Sequence, residues 1–267
     1  QAWLMNGTTV STASNLGDGD PAWRPVGSAD FNGDGTSDLV WQHSSGEIQV
    51  WLMNGTAAIA AATVSGDPAW TVVASGDIDG DGKSDLVWQH TSGAAQVWLM
   101  DGTAIRSALP IAGATPGWHI VAAGDFNNDG LSGDLVWRED ASGAIQVWYM
   151  NGAGLITAEG RAGDPAWQVV DRGDFNNDGF SDLVWRHSSG IVQVWLMHGV
   201  ALVGAAQFAP GADWAVARVG DFNSDGKSDL VWQHTSGASQ VWFMDGATVT
   251  GSAALTGPLP GWQIQGF

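Results

Sequence analysis

The sequence contains no cysteine and few cationic residues, and each shortage narrows what the protein can be. Without cysteine the chain forms no disulfide bond and carries out no thiol chemistry. Only 9 lysine and arginine residues stand against 28 aspartate and glutamate residues, which gives a formal net charge of −19. Binding to nucleic acid or to an anionic membrane surface requires a basic face, so we expect no nucleic-acid partner.

Long apolar runs and long helix-forming stretches are also lacking. No apolar run approaches the ~20 residues that a membrane-spanning helix needs, so we expect no membrane insertion. The chain is instead rich in glycine, with 38 residues, and in tryptophan, with 17. This combination is typical of many short strands joined by tight turns.

An acidic motif close to Asp-Phe-Asn-x-Asp-Gly-x-Ser-Asp-Leu-Val-Trp recurs along the chain with a period of about 47 residues. Its five copies begin at Asp30, Asp77, Asp125, Asp174 and Asp221. Each copy is preceded by a tryptophan and followed by a Gln-Val-Trp-x-Met-x-Gly motif, and a further copy of this second motif lies at residues 1–7. One position of the second motif holds all six methionines of the protein. A fixed period of this length indicates a repeat architecture.

Each repeat is predicted to form four short strands, because two turn signals and a proline-containing linker divide it. In the first repeat we predict strands at 23–31, 38–43, 47–53 and 56–65. Strands two and three carry large apolar residues on both faces, which is typical of strands covered on both sides. This pattern favours an all-β fold, a β-propeller of four-stranded blades, over a linear β-solenoid.

The whole chain, 1–267, is predicted to be one propeller domain. Its repeats lie at 23–69, 70–117, 118–166, 167–213 and 214–261, with 1–22 and 262–267 as a partial closing blade. We expect six blade positions, although the joined ends lack one acidic loop and one second strand. The alternatives are five blades that close with redundant end strands, and a fragment whose missing segment lies beyond either end.

The acidic loops are predicted to bind about five Ca²⁺ ions, one in each loop. Calcium takes six to eight oxygen ligands. The side chains at loop positions 1, 3, 5 and 9 and the backbone carbonyl of position 7 can surround one ion. This requires a sharp turn, which glycine at position 6 allows. The predicted ligands are Asp30, Asn32, Asp34, Thr36 and Asp38; Asp77, Asp79, Asp81, Lys83 and Asp85; Asp125, Asn127, Asp129, Leu131 and Asp134; Asp174, Asn176, Asp178, Phe180 and Asp182; and Asp221, Asn223, Asp225, Lys227 and Asp229. The alternative is a set of Asx-rich turns without metal. In the third loop the inserted Gly133 is expected to displace the last ligand.

The motif at 173–185 and at 220–232 resembles the FG-GAP/VCBS class of calcium-loop propeller repeats, and the resemblance covers the whole chain. The chain is also similar to propeller lectins of the Psathyrella velutina type. These resemblances imply a secreted or cell-surface protein with bound calcium, and they imply glycan binding or adhesion. They transfer no sugar ligand residue by residue.

Almost every notable residue recurs in register, which favours multivalent binding over catalysis, and no isolated catalytic set stands out, so we predict that the protein is not an enzyme. Candidate carbohydrate contacts are the tryptophans before strand one and the histidines that end strand two, because indole rings stack on sugars and imidazoles bond hydroxyl groups. These residues are Trp23, Trp70, Trp118, Trp167, Trp214 and Trp262, with His43, His90, His187 and His234. The alternative role of the tryptophans is packing between blades. The alternative role of the histidines is to cap the end of a strand that faces solvent.

The leading hypothesis is therefore a calcium-stabilised lectin with several glycan sites in the grooves between blades. The alternatives are a non-catalytic structural or adhesion module that binds a cell-surface protein or a copy of itself, and an accessory domain of a larger secreted protein. The second-to-last position of strand two differs between repeats, with glutamine at Gln42, Gln89 and Gln233 and arginine at Arg138 and Arg186. If these residues line the grooves, the sugar sites would not be equivalent.

Overall fold

The computed structural model describes residues 2–16, 19–64, 66–255 and 264, and the regular secondary structure of these residues consists of β-strands alone. The strands form five four-stranded antiparallel sheets and one two-stranded sheet. The two-stranded sheet is β1 (Ala2–Asn6) and β2 (Thr9–Ser14).

The five four-stranded sheets follow one another along the chain, and each corresponds to one predicted repeat. Blade one is β3 (Trp23–Ala29), β4 (Asp38–His43), β5 (Ile48–Asn54) and β6 (Ala57–Val64). Blade two is β7 (Trp70–Gly76), β8 (Asp85–His90), β9 (Ala95–Asp101) and β10 (Ala104–Ile111). Blade three is β11 (Trp118–Gly124), β12 (Asp134–Glu139), β13 (Ile145–Asn151) and β14 (Gly154–Arg161). Blade four is β15 (Trp167–Gly173), β16 (Asp182–His187), β17 (Val192–His198) and β18 (Ala201–Phe208). Blade five is β19 (Trp214–Gly220), β20 (Asp229–His234), β21 (Ser239–Asp245) and β22 (Thr248–Ala254).

The first strands of successive blades contact one another, from β3 to β7, β11, β15 and β19, so they line the centre of the molecule. The fourth strands lie outermost, and β14 is exposed along its whole length. This arrangement confirms the predicted propeller of four-stranded blades. Its five complete blades match the five-blade alternative.

The hydrophobic core lies between blades rather than within one sheet. One cluster joins Phe31 and Val50 of blade one to Leu86 and Trp88 of blade two, and three similar clusters join the following pairs of blades. Because both faces of the second and third strands contribute to these clusters, burial of apolar side chains holds the blades together. Among the described residues there is no helix of sufficient length and apolar character to span a membrane.

The two ends of the strands form two chemically different faces of the propeller. Strand one ends, and strand two begins, at the acidic loop, and the turn between strands three and four lies at the same end. Strand two ends at the opposite side, next to the start of strand one. The acidic loops therefore occupy one face, and the candidate tryptophans and histidines occupy the other.

Candidate functional sites: acidic loops and Trp–His pairs

In every acidic loop the first aspartate organises the turn by accepting backbone hydrogen bonds. Asp30 accepts from the N–H groups of Gly33 and Gly35, each at 2.7 Å. Gly35 has a φ angle of 83°, which confirms the predicted need for glycine at the sixth loop position. The same bond from the sixth-position glycine to the first aspartate occurs in the other four loops.

The fifth-position aspartate faces into the same turn. Asp34 accepts hydrogen bonds from the side-chain amide of Asn32 at 2.9 Å and from the backbone N–H of Thr36 at 2.8 Å. A hydrogen bond from the Thr36 hydroxyl group, together with these two bonds, holds the pKa of Asp34 below its usual value. In each of the five loops the seventh residue donates its backbone N–H to the fifth aspartate, so its peptide is oriented by the loop itself.

The ninth-position aspartates have a role that the sequence analysis missed. Asp38 is fully buried, and its two carboxylate oxygens accept hydrogen bonds from the N–H groups of Phe31 at 2.9 Å and Met53 at 2.8 Å. Each carboxylate therefore joins the start of its loop to strand three of the same blade, and this pair of bonds is present in all five blades. The nearly constant spacing between this aspartate and the methionine, 15 residues in four blades and 16 in blade three, is the signal that could have revealed the contact.

The inserted Gly133 does not displace Asp134 from this arrangement. The Asp134 carboxylate still accepts from the N–H groups of Phe126 at 3.0 Å and Met150 at 2.8 Å. A Cβ atom at Gly133 would lie 3.1 Å from the Cα atom of Ile78 in blade two. A residue without a side chain thus lets the longer loop pack against its neighbour.

Burial makes ionisation of the ninth-position carboxylates unfavourable. It raises the pKa of Asp85 and Asp134 to about 6 and that of Asp182 to about 7, despite the hydrogen bonds that each accepts. Neighbouring loop carboxylates add to this effect because like charges repel. A bound cation would favour the ionised form of each carboxylate.

Two third-position oxygens are buried without a hydrogen-bond donor, and both belong to predicted calcium ligands. They are Oδ1 of Asp79 and Oδ1 of Asn176. A buried acceptor without a partner is costly, and a cation would satisfy it. In the second loop, carboxylate oxygens of Asp77, Asp79 and Asp85 lie within 4.8 Å of one another, a spacing that fits a shared metal ion. The donor set is all oxygen, as calcium requires.

The second loop already has a cationic partner from its own blade. Arg106 of β10 bonds Asp81 through Nη1 at 2.6 Å and contacts Asp79 through Nη2. The sequence analysis missed this pair. Two sequence differences could have revealed it. The second loop has Asp79 where the other loops have asparagine, and the fourth strand has Arg106 where the other blades have an apolar residue or threonine.

On the opposite face, the predicted tryptophans and histidines come together as pairs of tilted rings. Trp23 and His43 are directly opposite in β3 and β4, with ring centroids 5.0 Å apart. The other three pairs, each also at 5.0 Å, are Trp70 with His90, Trp167 with His187, and Trp214 with His234. In blade three, Trp118 lies opposite Glu139 and has no histidine partner. Trp262 lies outside the described residues.

The histidine of each pair is held in one orientation by the turn that follows it. The backbone N–H of Ser236 donates to Nδ1 of His234 at 3.1 Å, and the equivalent bond occurs at the other three histidines. Because Nδ1 accepts this bond, the neutral ring carries its proton on Nε2. The His234 side chain is 29% exposed, and its Nε2 lies 4.0 Å from a carboxylate oxygen of Asp213.

The second-to-last residue of strand two connects neighbouring blades in blades one to three. Gln42 and Gln89 each donate a side-chain N–H, at 2.7 Å, to the carbonyl of the first tryptophan of the next blade. Arg138 makes the equivalent bond to Trp167 at 3.1 Å. These residues therefore lie in the grooves between blades, and they hold the candidate tryptophans in position.

One groove on this face widens into a cavity of about 400 Å³. It brings together Trp214, His234, Gln233, Asp213 and Arg186. Arg186 lines this cavity and makes a long hydrogen bond, 3.5 Å, to the carbonyl of Ala212. An aromatic ring with several polar groups around a cavity is typical of a small-ligand site.

A group of charged residues at the centre of the propeller does not follow the repeat, and the sequence analysis did not identify it. Arg172 of blade four donates to the carbonyl of Ser75 in blade two at 3.3 Å, and Asp171 accepts from the N–H of Val219 at 2.8 Å. Burial raises the pKa of Asp171 and lowers that of Arg172. Arg172 thus links two blades that are not sequence neighbours.

Comparison with known proteins places these features in a family. The sequence model of the FG-GAP-like repeat matches residues 30–88, 77–132 and 174–232. No curated protein matches the chain.

The fold is similar to several solved structures at low sequence identity. Raptor from Chaetomium thermophilum has a TM-score of 0.54 and 12% identity, over 94% of this chain and 22% of that one. BBS1N in complex with ARL6DN has a TM-score of 0.50 and 13% identity, over 88% of this chain and 70% of that one. The dihydro-heme d1 dehydrogenase NirN in complex with DHE has a TM-score of 0.48 and 13% identity, and the chain covers only 48% of its length. At these identities the similarity concerns the fold alone.

Proposed function

The chain belongs to the FG-GAP-like repeat family, and on this premise we propose that it is a calcium-stabilised, multivalent carbohydrate-binding protein. In this proposal the acidic loops hold Ca²⁺ on one face of the propeller, and the Trp–His pairs bind sugar on the other. The protein then acts as a secreted or cell-surface binding module and not as an enzyme.

The calcium part is supported by the unpaired oxygens of the acidic loops. Oδ1 of Asp79 and Oδ1 of Asn176 are buried acceptors without a donor, and both occupy the third position that an oxygen-coordinated cation requires. The formal net charge of −19 adds to this argument, because Ca²⁺ would offset the mutual repulsion of carboxylates that share one face. The role of the ion is structural, since it would stabilise turns on which the blade contacts depend.

The observation that carries the carbohydrate part is the cavity beside Trp214 and His234. An indole ring stacks on the apolar face of a pyranose, while Nε2–H of His234 supplies a hydrogen bond to a hydroxyl group. Three further Trp–His pairs repeat the same geometry around the ring. Weak sites on one rigid face would gain avidity on a surface that carries clustered glycans.

An adhesive or self-assembling role is the second candidate, and exposed apolar residues on the outer strands favour it. Ile59, Ile156 and Val203 occupy one equivalent position of blades one, three and four, and each is at least 60% exposed. Such residues could contact a protein partner or a second copy. A change in particle size with protein concentration, measured by light scattering, would support this role.

The carbohydrate proposal is tested on a glycan array with labelled protein in millimolar calcium, before and after chelation. We expect binding to one class of sugar. A variant in which His43, His90, His187 and His234 are all replaced by alanine should lose at least about tenfold in affinity, which corresponds to ~1.4 kcal/mol.

The matched control is His119→Ala, because His119 lies outside the pairs and bonds Asp140 instead. It should bind glycans as the unmodified protein does. The carbohydrate proposal fails if folded, calcium-loaded protein binds no glycan, or if the quadruple variant keeps full affinity while circular dichroism shows that it is folded.

A further inference from the structure

We propose that the β1–β2 hairpin and Ile264 belong to a sixth, incomplete blade position, and that this position binds an extended segment with the sequence of a second strand of this repeat, including its acidic loop. The inference goes beyond calcium and sugar binding. It concerns the space between blade five and blade one, and the described residues that lie on both sides of that space.

The hairpin contacts blade five in the way that each blade contacts the one before it. Gly102 at the β9–β10 turn donates its N–H to the carbonyl of Phe31 in the preceding blade, at 2.8 Å. Gly152 and Gly246 make the same bond to Ile78 and Phe175. Gly7 occupies the equivalent turn of the hairpin, and a Cβ atom placed there would lie 3.8 Å from the carbonyl oxygen of Phe222 in blade five.

The hairpin also contacts blade one as a preceding blade does. A Cβ atom at Gly102 of blade two would lie 3.5 Å from Cδ1 of Leu52 in blade one. A Cβ atom at Gly55 of blade one would lie 3.2 Å from Cδ1 of Leu4 in the hairpin. The hydroxyl groups of Ser14 and Thr56 add a hydrogen bond of 2.9 Å between these elements.

Ile264 marks the position of a first strand. Its N–H donates to Oε1 of Gln233 in blade five at 2.9 Å. In the complete ring, the N–H of Ile120 in the first strand of blade three donates to Oε1 of Gln89 in blade two at 3.0 Å. The described residues therefore occupy the third and fourth strand positions of a sixth blade, and Ile264 occupies one residue position of its first strand.

The second strand position has no occupant among the described residues. In blade five, β21 pairs with β20 on one side and β22 on the other, whereas β1 pairs with β2 alone. Leu4 of β1 is 40% exposed, compared with 9% for the equivalent Leu99 of blade two. The free edge of a strand is a template for pairing with a further strand.

In blade five, groups that contact the second strand of the next blade elsewhere in the ring have no such partner among the described residues. In blades one to four, the first loop aspartate accepts a hydrogen bond at its carbonyl from the N–H of the loop serine in the next blade, as Ser228 donates to Asp174 at 2.7 Å. Within the described part of the chain, the carbonyl of Asp221 has no such serine partner. Phe222 is partly exposed, although Phe31 and Phe175 at the same position are fully buried.

These unused groups define the chemistry of the occupant. It must supply a backbone N–H to the Asp221 carbonyl, and it must supply an aspartate for the N–H of Met5, because the equivalent Met244 donates to Oδ1 of Asp229. It must also supply alternating apolar side chains for the clusters between blades. A second-strand segment of this repeat, with its acidic loop, has all three features at the required spacing.

The test uses a fluorescently labelled synthetic peptide with the sequence of residues 220–234, added to the whole protein in millimolar calcium and followed by fluorescence anisotropy. We expect saturable binding with one peptide per protein and a higher temperature of unfolding. A peptide with alanine in place of the aspartate equivalent to Asp229 should bind at least about tenfold more weakly, since it lacks the acceptor for two N–H groups.

Two protein variants locate the site. Met5→Pro removes the N–H at the strand edge, and Met5→Ala removes the same side chain but keeps the N–H. We expect peptide affinity to fall at least about tenfold in Met5→Pro relative to Met5→Ala. The inference is overturned if the peptide does not bind folded protein, or if both variants bind it equally. Neither readout depends on glycan binding, so the two proposals fail separately.

Discussion

The ninth-position aspartates are buried carboxylates, and each receives two backbone N–H donors from different parts of its blade. In blade four, Asp182 accepts from Phe175 and from Met197. This contact ties the loop to strand three even before any cation is considered. At the scale of single residues, we therefore expect these side chains to contribute to stability independently of metal.

The substitution Asp182→Asn tests this contribution. Asparagine keeps the shape but turns an N–H₂ group toward one of the two donors, so that one buried N–H loses its acceptor. We expect the free energy of unfolding to fall by ~1–3 kcal/mol. Urea denaturation in the presence of a chelator measures it, and Asp140→Asn at an exposed carboxylate is the control. Equal stability of the two variants would show that the hydrogen bonds contribute little.

Arg106 is the residue that distinguishes the second acidic loop from the others. It contacts Asp79 and Asp81, which are also predicted calcium ligands. A cation in the loop and the guanidinium group therefore compete for the same oxygens.

We expect Arg106→Ala to raise the calcium affinity of the second loop by up to about fivefold, because it removes an exposed competing ion pair. Isothermal titration with calcium measures the change. Arg161→Ala is the matched control, since Arg161 lies over the ring of Trp195 and not at an acidic loop. An unchanged or weaker affinity in Arg106→Ala would mean that the arginine does not compete with calcium.

At the scale of the element, each acidic loop has a left-handed backbone at its sixth position. Gly35 adopts a φ of 83°, and a Cβ atom there would meet no heavy atom within 4 Å. A substitution at this position therefore tests the backbone conformation without a steric clash.

We expect Gly35→Ala to lower the free energy of unfolding by roughly 1–2 kcal/mol, since a left-handed conformation is unfavourable for a residue with a side chain. Gly160→Ala in the exposed strand β14 is the control, because Gly160 has no positive φ and its added Cβ would make only ordinary contacts. Chemical denaturation of both variants compares them. If Gly35→Ala is no less stable than Gly160→Ala, the loop does not require this conformation in solution.

Strand boundaries in the first repeat could be predicted to within about two residues, because alternation and turn residues are local signals. The prediction of 38–43 for strand two agrees with the observed Asp38–His43, while the predicted 23–31 extends beyond the observed Trp23–Ala29. Phe31 belongs to the loop, where Asp38 binds its N–H. That contact spans two elements and leaves no mark in the local pattern of apolar residues.

We expect the distribution of charge over the whole molecule to make its stability sensitive to divalent cations. All five acidic loops lie on one face, and the formal net charge is −19. Each bound Ca²⁺ stabilises the folded state by about 1.4 kcal/mol when free calcium is tenfold above the dissociation constant.

We expect chelation to lower the temperature of thermal unfolding, and excess calcium to restore it. Differential scanning calorimetry with and without chelator measures the effect, and magnesium is the control because it prefers a stricter octahedral geometry. An unfolding temperature that is the same with calcium and with chelator would favour Asx-rich turns without metal.

The sequence by itself determined the repeat, the four strands of each blade, the acidic loops and the residues of the Trp–His pairs, because each of these follows from short-range spacing. Only the tertiary structure decided which groups meet across blades. It placed Arg172 against the Ser75 carbonyl, 97 residues away in the chain, and placed Ile264 beside Gln233. It also decided that the complete blades number five and that β1–β2 contacts both blade one and blade five. These contacts depend on how the ring closes in space, and identical local motifs are compatible with rings of different size.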